Sequence, residues 1–135
     1  MRLLLDTHMV IWVAAQPDRM PLEARDLAED WRNSVFFSPV SLWEIAVKSG
    51  LDRDDFRADV HMVRQGLLDN GFEELVLTGR HAAAVRDLPN LHRDPFDRML
   101  IAQATAEKIH LLTADEIIAR YPGDILFTRA KRHRG

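Results

Sequence analysis

Acidic residues recur in this sequence just after short apolar runs, each beside a hydroxyl. Asp6 and Thr7 follow "RLLL" (2–5), Ser38, Ser41 and Glu44 follow "SVFF" (34–37), and Thr113, Asp115 and Glu116 follow "IHLL" (109–112). A further stretch, "HRDPFDRMLIAQA" (92–104), carries Asp94 and Asp97. Singly, each acid reads as a helix start. Asp94 suits an N-cap before Pro95, Asp97 falls where a capping-box carboxylate reaches back, and "SLWE" (41–44) and "TADE" (113–116) fit the same box. Glu44 also precedes Lys48 by four residues, the favoured order for a surface ion pair on a helix. Taken together, the acids imply different chemistry. Two carboxylates about 4 Å apart repel by roughly 4 kcal/mol at an effective dielectric near 20, so a convergent group requires a cation. Oxygen ligands without cysteine favour a hard ion, Mg²⁺ or Mn²⁺. Such an ion in an acidic pocket suits phosphodiester hydrolysis, with no serine, cysteine or lysine nucleophile needed. His8, His92 and His110 lie near the acidic turns, but no HExxH-like spacing exists, and they read as polar packing or substrate contacts.

Convergence depends on the elements that carry the acids. Five apolar runs, the three above with "EELVL" (73–77) and "DILF" (124–127), alternate with helical patterns. Ala24, Leu27, Ala28 and Trp31 are helically spaced behind Pro21, as are Phe56, Val60, Val63 and Leu67. Leu42, Ile45 and Ala46 mark another helix, Ala84, Val85 and Leu88 one ending at Pro89, and 95 to about 107 a buried one. This alternation predicts an α/β fold of three layers, a mostly parallel sheet of about five strands between helices. In such a sheet the strand-to-helix turns share one edge, where ligands bind. Asp6, Glu44 and Asp115 are expected there, and the helix opened by Asp94 and Asp97 can return to that edge.

A length of 135 residues, 47% of them hydrophobic, suits one domain, placed at 1–128. The remaining 129–135, "RAKRHRG", form a basic tail, read as a solvated end rather than a phosphate-contacting arm, and "GLDRDDF" (50–56) reads as a surface loop. Net charge is −3 and the body without its tail is more acidic still, so simple electrostatic binding of nucleic acid is not indicated. The absence of cysteine excludes disulfides and thiolate sites and agrees with a reducing compartment. The longest apolar runs, such as 9–15, are too short to span a bilayer, and Asp6 interrupts any signal-peptide core, which predicts a cytoplasmic protein with no membrane partner.

"LLLDTHMVIW", "SLWEIAVK", "LPNLHRDPFDRMLIAQA" and "LLTADEIIARYP" resemble, in order and spacing, the PIN-domain ribonucleases, specifically the VapC-type toxins of toxin-antitoxin pairs. The resemblance spans residues 2 to about 122 and is weak from 50 to 75. It implies a PIN-like fold and a metal-dependent endoribonuclease that cuts single-stranded regions of RNA, inhibiting translation. It assigns the acidic quartet to Asp6, Glu44, Asp97 and Asp115, holding one or two Mg²⁺ or Mn²⁺ ions, with Asp94 an accessory ligand or a cap. Thr7, Ser41 and Thr113 become partners that orient the carboxylates, and Arg93 and Arg98 possible contacts to substrate phosphate. A homodimer and a cognate antitoxin covering the site are implied too. Trp12, Trp31, Trp43 and Phe37 are candidates for its groove, although such aromatics more often pack in a core. Two features depart from the pattern: Gly50, Leu51 and Asp52 replace Gly-Lys-Leu, and the basic tail is additional.

Two rivals differ in what they require. A haloacid-dehalogenase-type phosphatase needs a second aspartate where His8 stands. A non-enzymatic α/β interaction module, whose acids only cap helices, predicts no metal dependence.

Overall fold

Leu3, Leu4 and Leu5 are buried on both sides, the environment of a central parallel strand covered by helices on each face. The computed structural model describes residues 1–51 and 58–131. It contains five strands, β1 (Arg2–Leu5), β2 (Ser34–Phe37), β3 (Glu73–Glu74), β4 (His110–Thr113) and β5 (Ile125–Phe127). All pair in parallel, in the order β3-β2-β1-β4-β5. The chain winds outward from β1 through β2 to β3, then crosses to β4 on the other side, so the order reverses between β1 and β4. That reversal opens a crevice beyond the carboxyl ends of these two strands.

Among the described residues the helices are α1 (Thr7–Ala15), α2 (Leu22–Glu29), α3 (Pro39–Gly50), α4 (Val60–Asp69), α5 (Gly79–Ala84) and α6 (Pro95–Glu107). Two apolar clusters separate the layers. Leu3, Leu5, Phe37 and Leu112 pack with Met9, Ala24, Val63 and Leu67 of α1, α2 and α4 on one face. Leu4 and Leu111 pack with Leu100, Ile101 and Ala104 of α6 on the other. The three-layer parallel architecture expected from the alternation is the one observed.

Several boundaries differ from the sequence reading. The run at 73–77 yields only two strand residues: Leu75 still donates its N–H to the Phe37 carbonyl, but β2 ends there and Pro39 has no N–H to continue the ladder, so Gln103 Nε2 donates instead to the Leu75 and Val76 carbonyls at 3.1 and 3.4 Å. Trp31 lies beyond α2 and is 89% exposed, while Trp12 and Phe37 are core. The pattern at 84–88 is split between α5 and a 3-10 turn at Val85–Asp87. Phe56 and most of the loop at 50–56, like Arg132 to Gly135 of the tail, lie outside the described residues. Within the described tail, Lys131 Nζ donates to the Asp18 carbonyl at 2.9 Å. No helix among the described residues is long and apolar enough to cross a membrane.

Helix α6 ends on Lys108, which adopts the left-handed conformation (φ 56°, ψ 46°) while its N–H bonds the Ala104 and Thr105 carbonyls. A side chain is disfavoured there and glycine is not. Lys108→Gly is expected to stabilise the protein by about 0.5–1 kcal/mol, read as an upward shift of the urea midpoint at unchanged slope.

Candidate active site

The crevice is assembled by strand ends that stop in polar residues. Asp6 follows β1 directly and is the N-cap of α1, Oδ1 accepting the Met9 N–H at 2.9 Å. Its Oδ2 accepts from the Thr113 hydroxyl at 2.5 Å, a bond that spans the gap between β1 and β4. Thr113 Oγ1 also accepts the Asp115 N–H at 3.0 Å, so one hydroxyl fixes two acids. Thr7 donates to Ser41 Oγ at 3.0 Å, tying the start of α1 to α3.

Not every acid caps a helix. Ser38, not Ser41, is the N-cap of α3, accepting the Val40 N–H, with Pro39 in the first turn. Glu44 therefore lies in the helix interior and cannot close the box suggested by "SLWE". Asp94 is the N-cap of α6, Oδ1 accepting from Phe96 and Asp97 at 2.9 and 3.2 Å. Asp97 occupies the capping-box position, but its Oδ2 lies 2.8 Å from His92 Nε2. Asp115 Oδ1 accepts the N–H groups of Ile117 and Ile118, a local turn just ahead of the 3-10 turn Ile118–Arg120, whose own N-cap is Ile117. Helix capping thus explains Asp6 and Asp94, and a local turn explains Asp115, which leaves Glu44 and Asp97 without a structural role of that kind.

Electrostatics bring all five acids into one group. Burial, then the charges of Asp94, Glu44, Asp6 and Asp115, push the Asp97 carboxyl up to about 8. Burial also raises Asp6, opposed by its bonds from Thr113 and Met9. Lys48 Nζ lies 2.5 Å from Glu44 Oε2 and 3.8 Å from Asp94 Oδ2, joining α3 to the start of α6. The pair read from sequence as a surface bridge is largely buried, Lys48 being 19% and Glu44 4% exposed in their side chains.

The remaining donors suit a divalent ion. Glu44 Oε1 is buried with no hydrogen-bond partner, an acceptor left without a donor in a protein interior. Ligand atoms of His92, Asp97 and Asp115 all lie within 4.8 Å of one another. A carboxylate set with one imidazole fits Mg²⁺ or Mn²⁺. From its sequence position His92 reads as a packing or substrate residue. Its backbone N–H donates to the Tyr121 hydroxyl, which also accepts from Arg98 Nη1, and this anchor brings its ring to Asp97. Arg98 further donates to the Pro89 and Val85 carbonyls and so braces the 85–92 segment, whereas Arg93 is exposed beside Asp94. No motif of fixed spacing marks His92, because Tyr121 and Asp115 reach it from the far end of the chain.

The sequence matches the model of the PIN domain over residues 3–124. The chain belongs to the PIN-domain family. Its fold is similar to that of VapBC2 from Rickettsia felis bound to a promoter DNA fragment, with a TM-score of 0.68 at 16% identity over 96% of this chain and 98% of that one. It is similar also to DNA-bound VapBC from Salmonella typhimurium, with a TM-score of 0.67 at 17% identity over 94% and 98%. VapBC-1 from nontypeable Haemophilus influenzae gives 0.59 at 14% over the same shares. No curated relative matches the sequence.

Proposed function

We propose that this chain is a metal-dependent endoribonuclease of the VapC type, acting in the cytoplasm as the toxin of a toxin-antitoxin pair and hydrolysing phosphodiester bonds in single-stranded RNA. The observation that carries this reading is the pair of acids capping does not explain. Glu44 holds a bare buried oxygen, and Asp97 is crowded by four other carboxylates. A pure interaction module has no use for either.

Asp6, Glu44, Asp97 and Asp115 would hold the ion, with His92 at its margin and Asp94 accessory, since Asp94 Oδ1 is already committed to two backbone N–H groups. A divalent ion bound there would supply activation of water and stabilisation of charge on the phosphate. Thr113 orients Asp6 and Asp115 together, and the Thr7–Ser41 bond fixes Asp6 relative to Glu44. The helix N-termini of α1, α3 and α6 add positive partial charge at this edge, favouring the anionic side chains and a phosphate alike. Arg93, exposed beside Asp94, would contact the RNA backbone, while Arg98 would act through the segment it braces. The similar folds crystallised as VapBC complexes support a cognate antitoxin as partner, and the exposed Trp31 and Trp43 offer surfaces for it or for a second copy in a homodimer.

The deciding experiment is cleavage of a labelled, largely single-stranded RNA by antitoxin-free protein in Mg²⁺, Mn²⁺ or EDTA. Cutting that requires metal supports the proposal, and its absence across several RNAs returns the weight to the interaction module. In the same assay Thr113→Val, which keeps the strand but removes the hydroxyl shared by Asp6 and Asp115, is expected to retain the fold and lose about 10–100-fold in rate.

A further inference from the structure

We propose that Lys48 is a built-in second cation of the acidic pocket, standing between Glu44 and Asp94 where another metal ion would bind, so that each chain takes one divalent ion. The inference rests on the metal site proposed above. Most i,i+4 pairs are solvated and weakly held. This ammonium instead meets acids from two elements, at 2.5 Å on α3 and 3.8 Å at the cap of α6. It also lies 5.6 Å over the Phe96 ring, a cation–π seat. Phe96 is itself braced by Trp43 in an edge contact with ring centroids 4.8 Å apart. Aromatic packing therefore holds the lysine in place from below.

The division of the carboxylate oxygens supplies the second argument. Two ions about 3.5–4 Å apart need acids that offer an oxygen to each. Glu44 offers one, because Oε2 is bonded to Lys48 while Oε1 alone is without a partner. Asp94 gives Oδ1 to backbone N–H groups and turns Oδ2 toward Lys48. Both oxygens of Asp6 are hydrogen-bonded, to Met9 and Thr113. Asp97 uses Oδ2 toward His92 and Asp115 uses Oδ1 toward Ile117 and Ile118, so each keeps one further oxygen, and with Glu44 Oε1 these suffice for one ion. At Glu44 Oε2 the positive charge is already present, as a compact ammonium on a flexible stem.

The test is the Mn²⁺ stoichiometry of the purified full-length chain, by calorimetric titration and by the electron paramagnetic resonance signal of free Mn²⁺. It compares wild type with Lys48→Met, which keeps the apolar stem on Phe96, and with Lys48→Ala, which also frees Glu44 Oε2 and leaves less apolar bulk should the methionine variant not fold. Circular dichroism verifies the fold of each. One ion per wild-type chain and two per variant are expected. Two ions in the wild type, or one in a folded variant, overturn the proposal. No Mn²⁺ bound by the wild type removes the metal site itself and this proposal with it.

Discussion

Asp97→Asn is expected to reduce metal-dependent RNA cleavage by on the order of 10²–10³-fold or more while leaving the protein folded. The carboxylate is the acid most crowded by the others, and it sits in the only group among the described residues where three ligand atoms already lie within coordination reach. An amide retains the shape but not the charge, and loses several kcal/mol of the ion's contribution at about 1.36 kcal/mol per tenfold in rate. Steady-state kcat/KM on one RNA at saturating Mg²⁺ measures it. Activity equal to wild type removes Asp97 from the site.

The same substitution is expected to make the metal-free protein more stable. The Asp97 carboxyl moves from 3.8 to about 8 on folding, so the native state binds a proton that the unfolded chain has released. With more protons on the native state, stability falls as pH rises between these two values and levels off above the higher one. The full displacement corresponds to about 6 kcal/mol at 1.36 kcal/mol per unit. Structural relaxation and the altered bond to His92 reduce the net gain to about 1–3 kcal/mol at neutral pH. In EDTA the melting temperature of Asp97→Asn should exceed that of wild type by about 3–10 °C at pH 8, and the two should converge toward pH 4. Saturating Mn²⁺ should reverse the order, because ligand binding stabilises the native wild type. A capping residue behaves oppositely: its loss lowers the melting temperature. A metal-free Asp97→Asn less stable than wild type would falsify the crowded-site assignment.

Much of this arrangement is legible in the sequence, for local reasons. Apolar runs of four alternating with helical periods define a parallel sheet, and a parallel sheet places every strand-to-helix turn at one edge. Asp6 and Asp115 follow from that rule alone. Asp94 as a cap and Pro95 in the first turn follow from backbone chemistry at a helix start. The strand expected at 73–77 is present but shorter, because its partner β2 ends at Phe37 and Pro39 has no N–H to continue the ladder, a limit that no pattern within 73–77 reveals. The roles of "SLWE" also changed, since capping depends on which hydroxyl first meets the helix, and Ser38 lies three residues ahead of Ser41.

By itself the sequence determined which elements form and which acids stand at their ends, because both are set by periodicity and by neighbours a few residues apart. Only the tertiary structure decided what those acids do. Asp97 turns from its own helix start to His92, Thr113 bridges to Asp6 across 107 positions of chain, and Lys48 leaves the surface to join Glu44 to Asp94. The physical reason is distance: Coulomb repulsion, burial and hydrogen bonding depend on separation in space, which the sheet order β2-β1-β4 sets by placing β1 beside β4.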